Sequence, residues 1–197
     1  MAATEILLLR HAEKPNGPDG GPGLTPDGRE DPKSLTVRGW QRAGALAAVL
    51  APNWPASSHL PRPDRIYASA FRHGGGHSRR PEQTVLPLAQ KLGCSVDLTW
   101  ALHQEEAFGA VLARQAGVIV VCWQHQGLAS LARAIVAPQH LEALPADWAW
   151  PKDRYDVIWS LRRNAPGDIW QFRQYCQALM SGDADRPFDL VGEARSA

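Results

Sequence analysis

The sequence lacks the features typical of secreted, nucleic-acid-binding and membrane-surface proteins. Its three cysteines, Cys94, Cys122 and Cys176, are odd in number and far apart, and no Cys-x-x-Cys pair occurs. They predict neither a disulfide framework nor a zinc ribbon, and they favour a reducing compartment. The formal net charge is only +1, which argues against nucleic acid and against a polybasic membrane surface as partners.

Long apolar runs are missing as well. No stretch approaches the length of a membrane span, and the first five residues lack the basic start of a signal peptide, so we expect a cytoplasmic protein. The 197 residues are 44% hydrophobic and 21% charged, which is ordinary for one globular domain with a proper core. We therefore expect residues 1–197 to form a single domain. The segment from Ser181 is polar and is expected to be a loose tail.

Two apolar runs that end in histidine are the main positive signal. Residues 6–9 lead directly into Arg10 and His11, and the prolines and glycines that follow prevent the strand from continuing. Residues 118–123 lead through Gln124 into His125. The carboxyl ends of parallel strands share one edge of a sheet, where open α/β folds bind their ligands, so we expect the two histidines to converge there.

The remaining periodicity predicts an α/β domain. Apolar residues recur at helical spacing in residues 37–50, where Ser34 or Thr36 can cap the helix, and in residues 81–92, 105–114 and 128–136. Short strand-like runs occupy residues 64–68, 95–98, 155–161 and 169–175. This alternation favours a three-layer fold, with a largely parallel sheet and helices on both faces.

A loop rich in cations follows the strand predicted at residues 64–68. Its arginines are Arg72, Arg79 and Arg80. Arginine donors fixed at a strand end suit a tetrahedral oxyanion, above all phosphate, and a neighbouring imidazole can act as a nucleophile or carry a proton. The residues alone therefore predict a phosphate pocket that combines both histidines, Arg10 and one or more of the loop arginines.

The sequence resembles the histidine phosphatase superfamily, also called the phosphoglycerate-mutase-like family. The resemblance covers roughly residues 4–135, in the family's order. It is carried by LLRHAE at residues 8–13, SLTVRGWQRA at 34–43, IYAS at 66–69 with RPEQT at 80–84, and WQH at 123–125. It implies a sheet with helices on both faces, and transfer of a phosphoryl group from a small phosphorylated substrate through a phosphohistidine, without a metal or other cofactor.

The resemblance also implies a role for each matching residue. His11 matches the nucleophilic histidine, Arg10 the phosphate-binding arginine beside it, and His125 the second histidine, which also contacts phosphate. The family has a further phosphate-binding arginine in the loop after the strand predicted here at residues 64–68. Counting back from Gln83 and Thr84 assigns it to Arg80, and counting forward from Ser69 assigns it to Arg72, because a glycine-rich insertion lies between the two. Arg80 is preferred, since the helix that follows it fixes its position.

Two positions depart from the family pattern. Ala12 replaces the usual glycine after the first histidine, and Gln126 stands where some branches carry an aspartate as proton donor. Glu105 and Glu106 are the candidates for this acid, as in branches that use a glutamate elsewhere. The alternative is a pseudoenzyme of the same fold that binds a phosphorylated ligand or a protein partner. No dedicated second phosphate clamp is visible, which favours a phosphatase over a mutase.

Two rival interpretations depend on the glycine-rich insertion. Residues 73–76 (HGGG) resemble the oxyanion loop of lipases and esterases, but the chain lacks the Gly-x-Ser-x-Gly elbow that this chemistry requires. His73 and His77 have the spacing of a helical metal site, but the three glycines between them disfavour a helix. No other ligand spacing is convincing, so we expect no metal.

Overall fold

The computed structural model of the protein describes residues 3–16, 20–53, 60–72, 78–136 and 149–190. In these residues, one five-stranded sheet is flanked by four helices. The strands are β1 (Thr4–Arg10), β2 (Arg65–Ala68), β3 (Gly117–Trp123), β4 (Val157–Arg163) and β5 (Gln171–Cys176). The helices are α1 (Val37–Leu50), α2 (Arg80–Leu92), α3 (Glu105–Leu112) and α4 (His125–Val136).

The sheet is mixed, in the order β2-β3-β1-β4-β5. Strands β1 and β2 both pair parallel with β3, whereas β4 pairs antiparallel with β1, and β5 antiparallel with β4. The prediction of a largely parallel sheet is therefore wrong for the part formed by β4 and β5. A short turn through Gly167, at φ +97°, joins these two strands, and a connection that short can join only antiparallel neighbours.

Helices cover both faces of the sheet, as the sequence predicts. Leu7 and Leu9 of β1 pack with residues of α1 and α2, whereas Ile6 and Leu8 pack on the opposite face with α3 and α4. All four leucine and isoleucine side chains are fully buried. This two-sided burial explains why the strand sequence is apolar at every position rather than at alternate positions.

The four predicted helices are present, and three of them have shifted ends. Helix α1 begins after Thr36, one of its two predicted caps, whose hydroxyl accepts a hydrogen bond from the Gly39 N–H at 3.2 Å. Helix α4 begins at His125 rather than at residue 128. The strand expected at residues 95–98 is reduced to a single bridge between Tyr67 and Asp97. None of the helices in the described ranges has the length and apolar character needed to cross a bilayer.

The polar segment after β5 is tied to the domain as far as the structure describes it. Asp183 pairs with Arg42 of α1 at 2.6 Å. Phe188 packs against the Trp150 ring, and its carbonyl accepts a hydrogen bond from the Gln174 side chain at 2.9 Å. The expectation of a loose tail is therefore wrong for residues 181–190, because a polar composition does not reveal ion pairs with a distant helix.

Candidate active site

The ends of parallel strands bring the two predicted histidines to one edge of the sheet. Arg10, the last residue of β1, is in register with Trp123, the last residue of β3. The His11 N–H donates to the Trp123 carbonyl at 3.0 Å, and His125 begins α4 two residues further on. Ser69, directly after β2, donates its N–H to the Cys122 carbonyl at 3.1 Å. The loop that leads to α2 therefore starts from the same edge.

His11 presents a neutral imidazole with one nitrogen engaged. The residue is 3% exposed, and Nδ1 lies 2.7 Å from the Ala12 carbonyl oxygen. A carbonyl oxygen can only accept, so Nδ1 carries the proton and Nε2 keeps its lone pair. Burial, followed by the charges of Arg10 and Arg80, holds the pKa of His11 well below its usual range. Its Nε2 is therefore unprotonated at neutral pH and chemically able to act as a nucleophile.

Arg10 is a buried guanidinium with unused donors. Its Nη1 donates to the carbonyls of Pro151 and Arg154 at 3.1 and 3.0 Å, and its Cζ lies 3.8 Å from the centroid of the Tyr155 ring. Within the described part of the chain, its buried Nε and Nη2 have no hydrogen-bond partner. Burial lowers the pKa of Arg10 to about 10, so the side chain stays charged at neutral pH. A buried charged group with two unused donors is suited to an anion.

Of the two arginine candidates, Arg80 is the one whose charge acts on Arg10 and His11. It is the first residue of α2, and its Nη1 donates to the Pro32 carbonyl at 3.1 Å. Its charge lowers the pKa of both Arg10 and His11, and its buried Nε has no partner among the described residues. Arg72 is exposed and donates to a backbone carbonyl at 3.2 Å. The geometry therefore favours Arg80 over Arg72 as the further phosphate-binding arginine.

Thr84 links the turn after β1 to the start of α2. Its hydroxyl accepts a hydrogen bond from the Ala12 N–H at 2.8 Å and donates one to the Arg80 carbonyl at 2.7 Å. One buried hydroxyl thus fixes both the backbone that orients His11 and the helix end that carries Arg80. The sequence marks Thr84 only as part of the family resemblance, and its two hydrogen bonds could not be inferred from spacing.

His125 lies half-buried at the start of α4. Its buried Nδ1 has no hydrogen-bond partner in the ranges that the structure describes. Burial, followed by the charges of Arg10, Lys14 and Lys152, lowers its pKa to about 4. No pattern in the sequence marks either lysine. Lys152 could not have been placed there without knowing that β4 runs antiparallel to β1.

The two candidate acids differ in their environment. Glu105 is 8% exposed, and its Oε1 accepts hydrogen bonds from the Trp123 indole at 2.8 Å and from the His103 N–H at 3.1 Å. A Cβ on Gly127, in the first turn of α4, would collide with the same oxygen. The Glu105 carboxylate therefore packs directly against the helix that carries the second histidine. Glu106 is exposed, so the geometry favours Glu105.

A buried ion-pair network centred on Arg42 of α1 supports the backbone around the site. Arg42 of α1 donates to Glu13 through Nε and Nη2 at 2.9 and 2.8 Å, and to Asp183 through Nη2 at 2.6 Å. Its Nη1 donates to the Gln177 side-chain oxygen at 3.0 Å, and the Gln177 amide donates to the Tyr155 carbonyl at 3.0 Å. The network thus joins the turn after the first histidine to the segment that packs on the first arginine.

No cluster of three or more His, Cys, Asp or Glu side chains that could hold a metal ion occurs in the described residues. His73, His77 and the glycines between them, on which both rival interpretations depend, lie outside the described residues. The expected independence from metal remains a prediction for a chelation experiment.

Comparison with known proteins shows the fold. No protein-family model matches the chain, and no curated protein matches it in sequence. Among solved structures, the protein histidine phosphatase SixA, complexed with tungstate, is similar, with a TM-score of 0.52 and 16% sequence identity. The match covers 88% of this chain and 97% of that chain. The similarity shows that this chain shares the fold of that protein, as the sequence resemblance predicts, and at this identity it extends to the fold alone.

Proposed function

From the histidine phosphatase superfamily fold of this chain, we propose that the protein hydrolyses phosphate monoesters through a phosphohistidine on His11. The observation that carries the proposal is the pairing of this residue with Arg10. The imidazole has its Nδ1 fixed by a carbonyl at 2.7 Å, and the adjacent buried guanidinium has two donors without a partner in the described chain. The attacking nitrogen and the guanidinium that binds the anion thus belong to consecutive residues.

In the first step, Nε2 of His11 attacks phosphorus and the bond to the ester oxygen breaks. The imidazole gains positive charge, and the Ala12 carbonyl stabilises its Nδ1–H. Arg10, Arg80 and His125 bind the equatorial oxygens, where charge is greatest in the transition state. Glu105 gives its proton to the departing oxygen, so that the product leaves as an alcohol.

In the second step, the Glu105 carboxylate takes a proton from water, and the resulting hydroxide attacks the phosphohistidine. The phosphorus–nitrogen bond breaks, inorganic phosphate leaves and His11 returns to the neutral imidazole. The solved structure of SixA holds tungstate, which is a tetrahedral oxyanion. This supports an anion of the phosphate type as the ligand of the candidate site here.

Turnover of p-nitrophenyl phosphate in the presence of EDTA tests the proposal. We expect saturable release of p-nitrophenol, unchanged by the chelator and inhibited competitively by tungstate. Loss of turnover on chelation, with recovery on addition of a divalent ion, would contradict the metal-independent mechanism. Tungstate binding without any turnover would instead identify the binding-only pseudoenzyme.

The matched pair Glu105→Gln and Glu106→Gln tests the assignment of the acid in the same assay. Glu105→Gln is expected to lower kcat, most strongly for esters whose leaving group is a poor one and needs the proton. Glu106→Gln is expected to behave like the wild-type protein, because its side chain is exposed. The reverse order of effects would show that the assignment is wrong.

A further inference from the structure

Lysine is rare in this protein, and two of its four lysines lie beside the candidate site. The chain has 17 arginines but only four lysines, Lys14, Lys33, Lys91 and Lys152. Within the described residues, the ammonium groups of Lys14 and Lys152 have neither a hydrogen-bond nor an ion-pair partner. The proposed mechanism does not use either lysine.

A tight turn places Lys152 beside Arg10. The Arg154 N–H donates to the Pro151 carbonyl at 3.4 Å, which closes a turn with Lys152 as its second residue. Both carbonyls at the ends of this turn accept from Arg10 Nη1, at 3.1 and 3.0 Å. Lys14 follows Arg10 by four residues in the chain, and the charges of Arg10 and Lys152 both act on it. Both lysines therefore lie near the same guanidinium.

The cations differ in depth. Arg10 is 1% exposed, Lys14 is half-buried and Lys152 is exposed. Burial, followed by the charges of Arg10, Arg80 and Lys152, lowers the pKa of Lys14. The like charges therefore act on one another. A phosphoryl group bound at Arg10 would leave the lysines at the outer end of the site, beside the rest of the substrate.

Glu13 and Asp31, two carboxylates near these cations, are engaged by other groups. Glu13 pairs with Arg42 at 2.8 Å, and Asp31 accepts hydrogen bonds from the Ser34 hydroxyl and a backbone N–H at 2.6 and 3.0 Å. Asp153, the neighbour of Lys152 in the turn, is exposed, and its charge raises the pKa of Arg10. A phosphoryl dianion and Asp153 together balance three of the four positive charges of Arg10, Arg80, Lys14 and Lys152, so one positive charge remains for a further anionic group.

We propose that Lys14 and Lys152 form a second anion subsite, so that the preferred substrate is a phosphate ester carrying a further anionic group close to the transferred phosphoryl group. This rests on the proposed phosphatase function and specifies its substrate class. Ammonium groups bind a carboxylate or a second phosphate as mobile point charges, so either anion fits the subsite. No such clamp is visible in the sequence, because the two lysines are far apart in the chain and come near one another only through the pairing of β4 with β1.

Two matched substrate pairs test the subsite. Phenyl phosphate is compared with 2-carboxyphenyl phosphate, and propyl phosphate with propane-1,3-diyl bisphosphate, by release of inorganic phosphate. For the wild-type protein, we expect kcat/KM to be about ten-fold higher for the more anionic member of at least one pair. The pair that shows the preference identifies the second anion as a carboxylate or a phosphate.

Lysine variants then localise the preference. Lys14→Gln and Lys152→Gln are expected to remove it while leaving kcat/KM for phenyl phosphate close to wild type. Lys91→Gln is the matched control, because this exposed lysine lies at the other end of α2, about 16 Å along the helix from Arg80. No preference in the wild-type protein, or an equal loss on phenyl phosphate in the two variants, would overturn the proposal.

Calorimetry on the His11→Ala variant measures the affinity of the same esters for the subsite in the absence of turnover. Tighter binding of the more anionic ester, lost on adding Lys152→Gln, would support the subsite even if the protein showed no turnover. Equal affinity within both pairs would overturn the subsite and leave the phosphatase proposal standing. The two failures are therefore distinguishable.

Discussion

At the scale of single residues, Arg80 and Arg72 provide the sharpest contrast in the candidate site. Arg80 has a buried Nε without a partner in the described chain, whereas Arg72 is exposed. Because Arg80→Ala removes one donor to the charged oxygens, it is expected to lower kcat/KM for p-nitrophenyl phosphate by about 10²- to 10³-fold. Arg72→Ala, the matched control, is expected to stay close to wild type. Equal losses in both variants would show that the arginine has been assigned wrongly.

The sequence predicts some of these residues better than others, for physical reasons. Arg10, His11 and His125 stand at or just after the ends of apolar runs, so the ends of buried strands mark them. Adjacent glutamates cannot be told apart by spacing, and only packing against α4 separates the buried Glu105 from its exposed neighbour. The two site lysines carry no pattern at all, because their proximity depends on the tertiary fold.

At the scale of elements, helix α1 supports the site through Arg42. Replacing this residue by methionine keeps much of its volume but leaves Asp183 buried without its cation and Glu13 with only Arg38, 3.5 Å away. We expect Arg42→Met to lower the free energy of unfolding by about 3–5 kcal/mol, because an unpaired buried charge is costly. Urea denaturation measures this, with Arg162→Met on exposed β4 surface as the control.

A second set of variants separates lost charge pairing from lost packing in this network. Adding Glu13→Gln and Asp183→Asn to Arg42→Met removes the orphaned charges, so part of the lost stability is expected to return. If Arg42→Met is no less stable than the Arg162→Met control, the network does not hold α1 and the C-terminal segment together as described.

The elements differ in how far the sequence determines them. Helical periodicity and two-sided burial are local patterns, so all four helices and the strands β1 and β3 could be predicted. The residues of a strand do not determine whether it runs parallel or antiparallel to its neighbour. The antiparallel direction of β4 and β5 depends on which strands they pair with in the sheet. The segment that ends the described chain is held by ion pairs to α1, which its polar composition does not distinguish from exposure to solvent.

At the scale of the whole molecule, the two histidines make stability depend on pH. Both imidazoles ionise near pH 6.5 when unfolded, and in the fold their pKa values are lowered, that of His125 to about 4. Between these limits the unfolded chain binds more protons, so the free energy of unfolding falls as the pH falls from about 6.5 toward 4. His125→Gln removes one of these sites and is expected to flatten the decline in urea midpoints. An unchanged slope in this variant would contradict the pKa direction.

The central claim for the whole protein is that His11 carries the phosphoryl group between the two steps. Rapid mixing with phenyl [³²P]phosphate, followed by an alkaline quench, tests it most directly, because phosphohistidine is stable to alkali and labile in acid. We predict label on the wild-type chain that survives alkali and is lost in acid, reduced label in His125→Ala and none in His11→Ala. Turnover without such label, or label that persists in His11→Ala, would contradict the mechanism.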